Sequence, residues 1–132
     1  YNIHKIYAGL RDATLQTDSR EAKEMLVKLT DWMIRLVSKL SDEQIQDMLR
    51  SEHGGLNETF ADVAAITGDK RYLKLAHQFS HQTVLQPLLK QEDKLTGMHA
   101  NTQIPKVIVS NVLPIWKAIG TGVRLPVIFG KQ

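Results

Sequence analysis

The chain has 132 residues, 17 of them Lys or Arg and 14 Asp or Glu, for a net charge of +3, and it contains no cysteine. This length holds one small domain or a piece of one; the basic residues are scattered and give no stripe for a nucleic-acid backbone, and without cysteine the chain makes no disulfide, thiolate zinc site or cysteine nucleophile. No apolar run approaches the roughly 20 residues that span a bilayer, and the chain opens at Tyr1 with no signal region, as an amino end cut from something longer would.

Ile3, Ile6, Tyr7, Leu10 and Thr14 step by three and four, which predicts a first helix with one apolar stripe. A longer stripe at Ala22, Met25, Leu26, Leu29, Trp32, Met33, Leu36, Val37 and Leu40 predicts a second, with Asp18 as its N-cap and Glu21 three residues on. Ser41-Asp42-Glu43 cap a short third helix through Ile45, Met48 and Leu49. It runs into Ser51-Glu52-His53-Gly54-Gly55, where paired glycines allow backbone conformations closed to other residues. Leu56, Phe60, Val63 and Ala64 make the next helix with Gly68 as its C-cap, and Asp69 caps another carrying Tyr72, Leu73, Ala76 and Phe79. Nothing alternates as a strand before Val107, so the fold class is all-α.

An internal repeat runs through these elements. Leu10-x6-Thr17-Asp18-Ser19-Arg20 overlies Phe60-x6-Thr67-Gly68-Asp69-Lys70 at an offset of 50 residues. Each unit is a helix, a tight polar turn and a second helix. Such a hairpin cannot bury its apolar stripe alone and must pack on neighbours, as in solenoids or closed rings of helix pairs. Two and a half hairpins close no ring, so the sequence predicts a large apolar surface left wet and a marginal chain that aggregates or stays molten.

From Val109 to Gln132 the pattern stops: there is no acidic residue and no helical stripe where the offset requires a helix and a turn near position 117. Back-translation with one G restored after the Ile108 codon, using permitted synonymous codons, reads GFKRIADMESNRHWGQAARYFWET, a helix, a polar turn and a second amphipathic helix. A TAG stop after Gln132 becomes the start of a Val codon in that frame. The hypothesis is a boundary at 108, with residues 1–108 native and 109–132 an irregular, frameshifted tail. Sequencing the DNA across the Ile108 codon tests it: a shifted frame is the expected result, and an intact one ends the idea.

His4, His53 and His99 occur at intervals of 49 and 46, close to the repeat, and each precedes or opens the first helix of its unit. Stacked repeats would bring those helix starts to one rim, where imidazoles donate to sugar hydroxyls, act near neutral pH or bind metal; each could equally satisfy only a local turn. A three-His zinc site usually draws its ligands from closer spacing. His77 and His81, four apart, share a helix face and read as solvated. Glu52 and Glu58 flank the Gly54-Gly55 turn; a glycosidase needs two carboxylates across its scissile bond, and helix starts also attract carboxylates as caps. Asn101 and Gln103 add amides suited to a polyhydroxylated ligand.

Four blocks carry a resemblance: Tyr1-Asn2-Ile3-His4-Lys5, Ser51-Glu52-His53-Gly54-Gly55-Leu56-Asn57-Glu58, Thr67-Gly68-Asp69-Lys70-Arg71-Tyr72-Leu73, and Gly97-Met98-His99-Ala100-Asn101-Thr102-Gln103-Ile104-Pro105-Lys106. In this order, over residues 1–108, the chain resembles the catalytic domain of the β-L-arabinofuranosidase family, glycoside hydrolase family 127. The resemblance implies an (α/α)6 barrel, of which this chain is a slice from the amino-terminal half, and a sugar pocket lined by His4, His53 and His99. Glu58, at a family acidic position, and Asn101 join them as expected substrate-binding residues.

The departure is as informative. The resemblance implies a cysteine thiolate nucleophile on a zinc held by further cysteines and a glutamate, with a separate glutamate as acid/base, all further toward the carboxyl end. The expected parent is a retaining glycosidase of terminal β-L-arabinofuranosides of plant glycans that uses zinc. The expected fragment carries no catalytic or metal-binding residue, binds no zinc and turns nothing over, because the covalent step needs its nucleophile. The partner is carbohydrate, with no nucleic acid and no membrane span; the compartment stays open, with a family-based lean to periplasmic or secreted. Two other classes fit the pattern less closely: a sugar epimerase or unsaturated-uronyl hydrolase on a similar toroid, and a non-catalytic helical-repeat binding module.

Overall fold

The computed structural model describes residues 1–51 and 54–108. Its elements are α1 (Asn2–Thr17), α2 (Arg20–Val37), α3 (Asp42–Met48), α4 (Leu56–Thr67), α5 (Lys70–Gln78), α6 (Gln82–Leu89) and α7 (Ala100–Val107). The expected all-α class is what is found: the described residues form seven helices and no strand. The predicted change at Val109, and with it the tail through Gln132, lies outside the described residues, as do Glu52 and His53.

The two hairpin turns repeat in their main features. Thr17 Oγ1 donates to Ala13 O and Thr67 Oγ1 to Val63 O, each at 2.7 Å. Asp18 and Gly68, 50 apart, both take the left-handed conformation that ends the first helix, at φ 52 and φ 73. The next residue in each, Ser19 or Asp69, caps the second helix by accepting from Ala22 N or Arg71 N. One expectation is corrected here: Ser19, not Asp18, is the N-cap of α2, because Asp18 is already committed to closing α1. Ser41 caps α3 as expected, with Gln44 completing a reciprocal capping box.

α1 packs on α2 and on α4, and α4 on α5, around one core. Tyr7, Leu26, Met33, Val37, Phe60, Leu75 and Phe79 lie in a single buried cluster. Phe60 sits at its centre, edge to face with Tyr7 at 5.2 Å and with Phe79 at 5.0 Å. The broad stripe of α2 divides in two. Ala22, Leu26, Thr30, Met33 and Val37 face the core, whereas Met25, Trp32 and Leu36 are exposed.

In the second unit, the place of the long α2 is taken by two helices, α5 and α6, with a break at Phe79-Ser80-His81. Gln46 of α3 satisfies the backbone groups the break frees: its Nε2 donates to Gln78 O and Ser80 O, and its Oε1 accepts from Gln82 N. The break corrects the reading of His77 and His81. His77 belongs to α5, while His81 is the N-cap position of α6 and is buried, so the two share no helix face.

Candidate functional site

The site is built where the start of α1, the entry to α4 and the end of α7 converge. His4 lies in the first turn of α1 and is buried against the Gly54-Gly55 turn. A Cβ at Gly54 would stand 2.6 Å from His4 Nδ1, and Gly54 holds φ +62, so glycine is required there twice over. A Cβ at Gly55 would meet His4 Nε2 and the carbonyl oxygen of Pro105 at 3.1 Å each, so α7 closes the other side of the same turn.

The last carbonyls of a helix have no partner within it. Near the end of α7, the carbonyl of Lys106 is taken by Asn57, whose Nδ2 donates to it at 3.1 Å from the first turn of α4. Asn57 is fully buried. Its Oδ1, His4 Nδ1 and Gln103 Oε1 are buried polar atoms without a hydrogen-bond partner among the described residues. Leaving such atoms unmet is costly, so each marks a place where the fold forgoes a hydrogen bond among the described residues.

Electrostatics keep His4 neutral. Burial, with Lys5 and Arg11 nearby, pushes its imidazole below the usual histidine range, so at neutral pH the ring offers one donor and one acceptor. Glu58, one residue beyond Asn57, is half-buried, and its carboxyl is pushed up by burial, with Arg11 pulling against it. Arg11 of α1 reaches Asp62 Oδ2 at 2.8 Å and Glu58 Oε1 at 3.5 Å, and so ties α1 to the entry of α4. Arg11→Gln removes the cation between two half-buried carboxylates and should cost about 1–2 kcal/mol at pH 7. Thermal melts of both proteins at pH 7 and pH 4 check this: the difference should shrink at pH 4, where carboxylates take up protons, and a pH-independent cost would contradict the assignment.

Of the residues singled out from sequence, His4 and Glu58 lie on the two helices that Arg11 joins. His99 is the N-cap position of α7 and Asn101 is in its first turn, both exposed. They are separated from Pro105 by most of the helix, about 9 Å of rise from His99. His53 and Glu52 lie outside the described residues. Sequence reasoning missed Asn57, which no apolar pattern marks, and Arg11 with Asp62, whose pairing spans 51 residues. Among the described residues no group of three His, Asp or Glu gathers to hold a metal ion.

Comparison with known families gives a match between residues 1–120 and the model described as Beta-L-arabinofuranosidase, GH127 catalytic domain. The match includes every block in which the resemblance was read and runs on past Ile108. Comparison with curated proteins gives no match.

Proposed function

The chain belongs to the β-L-arabinofuranosidase GH127 catalytic-domain family, and from that premise we propose that it supplies part of the sugar pocket of a retaining enzyme that releases terminal β-L-arabinofuranosyl groups from plant glycans. Family membership gives glycoside hydrolysis and a carbohydrate substrate; the particular sugar and the retention of configuration are our reading. The observation that supports the reading is the pair of buried polar atoms without a partner among the described residues, His4 Nδ1 against the Gly54-Gly55 turn and Asn57 Oδ1 at the start of α4. A furanoside presents hydroxyls that both donate and accept, which suits a neutral imidazole and amide oxygens. His4, with His53, His99, Glu58 and Asn101, is assigned to binding and orienting the sugar, and none of them to the covalent step.

The zinc that family membership implies finds no fit here. The whole chain lacks a thiolate, and no three-donor group gathers among the described residues. We therefore assign the metal, the nucleophile and the acid/base to parts of the enzyme beyond this chain, and read the hairpins as successive members of an (α/α)6 barrel.

Two measurements test the reading. Incubated with p-nitrophenyl β-L-arabinofuranoside, the 132-residue chain should release no L-arabinose; release above background would overturn the assignment of the covalent step elsewhere. Titrated with methyl β-L-arabinofuranoside, the ring nitrogens of His4 should shift in 15N-resolved spectra, and the shift of its neighbours should vanish in His4→Gln. Equal response to a furanoside and to an unrelated polyol would sink the sugar reading.

A further inference from the structure

Of the chain's asparagines, only Asn57 has a serine or threonine two residues on: Asn57-Glu58-Thr59, with no proline in it, is the acceptor signal for N-linked glycosylation. Such signals belong on surface loops, because the product is bulky and hydrated. Here the signal opens α4, and both residues that define it are inside, Asn57 and Thr59 each at 0% exposure. Thr59 Oγ1 donates to Leu56 O at 3.0 Å. Asn57 Nδ2, the atom that would carry a sugar, donates to Lys106 O at 3.1 Å.

The closure comes late in the chain. α4 packs on α1, α2 and α5 as well as on α7, but the carbonyl that takes Asn57 Nδ2 lies 49 residues further on. Synthesis at about 5–20 residues per second separates the two by about 2–10 s. Through that interval the acceptor amide lacks the partner that holds it in the fold.

We propose that Asn57 is an N-glycosylation site of the unfolded chain alone, and that the glycan and the fold exclude each other. In a compartment that supplies an oligosaccharyltransferase and a lipid-pyrophosphate-linked oligosaccharide, Asn57 Nδ2 attacks the anomeric carbon of the donor. The N–C bond forms, the C–O bond to the pyrophosphate breaks, the lipid pyrophosphate leaves with the electron pair, and the amide proton passes to a base of the transferase. The product carries a sugar ring where α7 belongs. At 3.1 Å no atom fits between Nδ2 and Lys106 O, and α7 already crowds the entry to α4, with Pro105 O 3.1 Å from the place of a Cβ at Gly55. Once α7 has docked, the amide is out of the transferase's reach. The inference does not depend on the sugar reading of His4.

Translation of the full chain behind a cleavable secretion leader, with endoplasmic-reticulum microsomes and with leader cleavage as proof of entry, tests it. The expected result is that part of the chain gains one endoglycosidase-H-sensitive glycan, and that limited trypsin separates the two forms. The glycosylated chain should be cut after Lys106, which is 1% exposed in the fold, several-fold faster than the bare chain. Thr59→Ala should abolish the glycan and Thr59→Ser should keep it. Phe79→Ala, which opens the core, should raise the glycosylated fraction several-fold. A glycosylated chain as resistant at Lys106 as the bare one overturns the exclusion, and so does a bare chain cut as fast as the glycosylated one. Absence of the glycan even in Phe79→Ala, or its persistence in Thr59→Ala, overturns the acceptor assignment.

Discussion

Gly54→Ala is expected to destabilise the chain by on the order of 3 kcal/mol, against about 1 kcal/mol for Gly68→Ala. Both glycines hold left-handed backbone, φ +62 and φ +73, where a β-carbon costs about 1–2 kcal/mol. The space around them differs. Nothing lies within 4 Å of a Cβ at Gly68, whereas one at Gly54 would meet His4 Nδ1 at 2.6 Å, Cγ at 2.9 Å and Cβ at 3.0 Å. Cβ is the root of the side chain, so a rotamer change can swing Nδ1 and Cγ aside but cannot clear it. Either α1 or the turn must move, and overpacking of this kind costs about 1–3 kcal/mol more.

The pair of variants separates the two contributions. Urea denaturation should give Gly54→Ala the lower midpoint with an unchanged slope. Adding His4→Ala should recover part of the loss, because the clash needs both partners, and the double variant should fall short of the sum of the singles. A Gly54→Ala no worse than Gly68→Ala would remove the close His4 contact from the account of the site. The variant also speaks to function: whatever pushes His4 off the turn moves the buried Nδ1 that the sugar reading relies on.

The contrast between Gly54 and Gly68 also marks how much of the molecule was legible in the sequence. Gly68, Asp69 and the two threonines were readable because turn and cap chemistry is local, settled within four residues. Asp18 was misread for a local reason too: Asp and Ser are both strong N-caps, and Asp also tolerates the left-handed conformation that ends α1. The repeat predicted that an apolar face would be left wet, and Ile6, Met25 and Trp32 lie on it. Yet the single broad stripe of α2 hid which side faced inward, since the buried face includes the polar Thr30, bonded back to Leu26 O. The candidate site was legible as a list and not as an arrangement. His4 and His99 both stand at helix starts, as spacing foretold, but one is buried against the Gly54-Gly55 turn and the other exposed, a difference of tertiary packing that spacing does not show. Lys106 was invisible as a core residue, because lysine is rarely buried without a partner and its partner lies 25 residues away.

Stability should fall by on the order of 2 kcal/mol between pH 7 and pH 5 through that partner, His81. Lys106 Nζ lies 3.0 Å from His81 Nδ1, and both side chains are buried. Two bases in contact away from water share a proton and resist a second. Burial, reinforced by Lys106 and Arg50, holds the His81 imidazole down at about 4, and burial holds the Lys106 amine below the usual lysine range. In both cases the unfolded chain binds the proton more readily than the fold does. His81 therefore contributes stability above pH 6.5 that is lost as pH falls toward 4, and Lys106 weakens the fold below pH 10.5, so stability should climb as the solution is made more alkaline. His4 and His77, also pushed down by burial, act in the same direction as His81. Glu58, pushed up by burial, acts in the opposite direction above the ordinary carboxylate value. Denaturation midpoints followed from pH 5 to pH 10 check the sign. His81→Leu should flatten the acid limb while costing about 1–3 kcal/mol at pH 7, because the Lys106 amine loses that acceptor. Lys106→Met should leave the pH 7 stability near or above the parent value and flatten the alkaline limb. Since Asn57 binds the carbonyl of Lys106, the protection factors of the α7 amides, taken relative to intrinsic exchange at each pH, should fall from pH 7 to pH 5 in the parent chain and fall less in Lys106→Met. A parent chain equally stable at pH 5 and pH 7, or an acid limb unchanged in His81→Leu, would show that the pair sets no such limit.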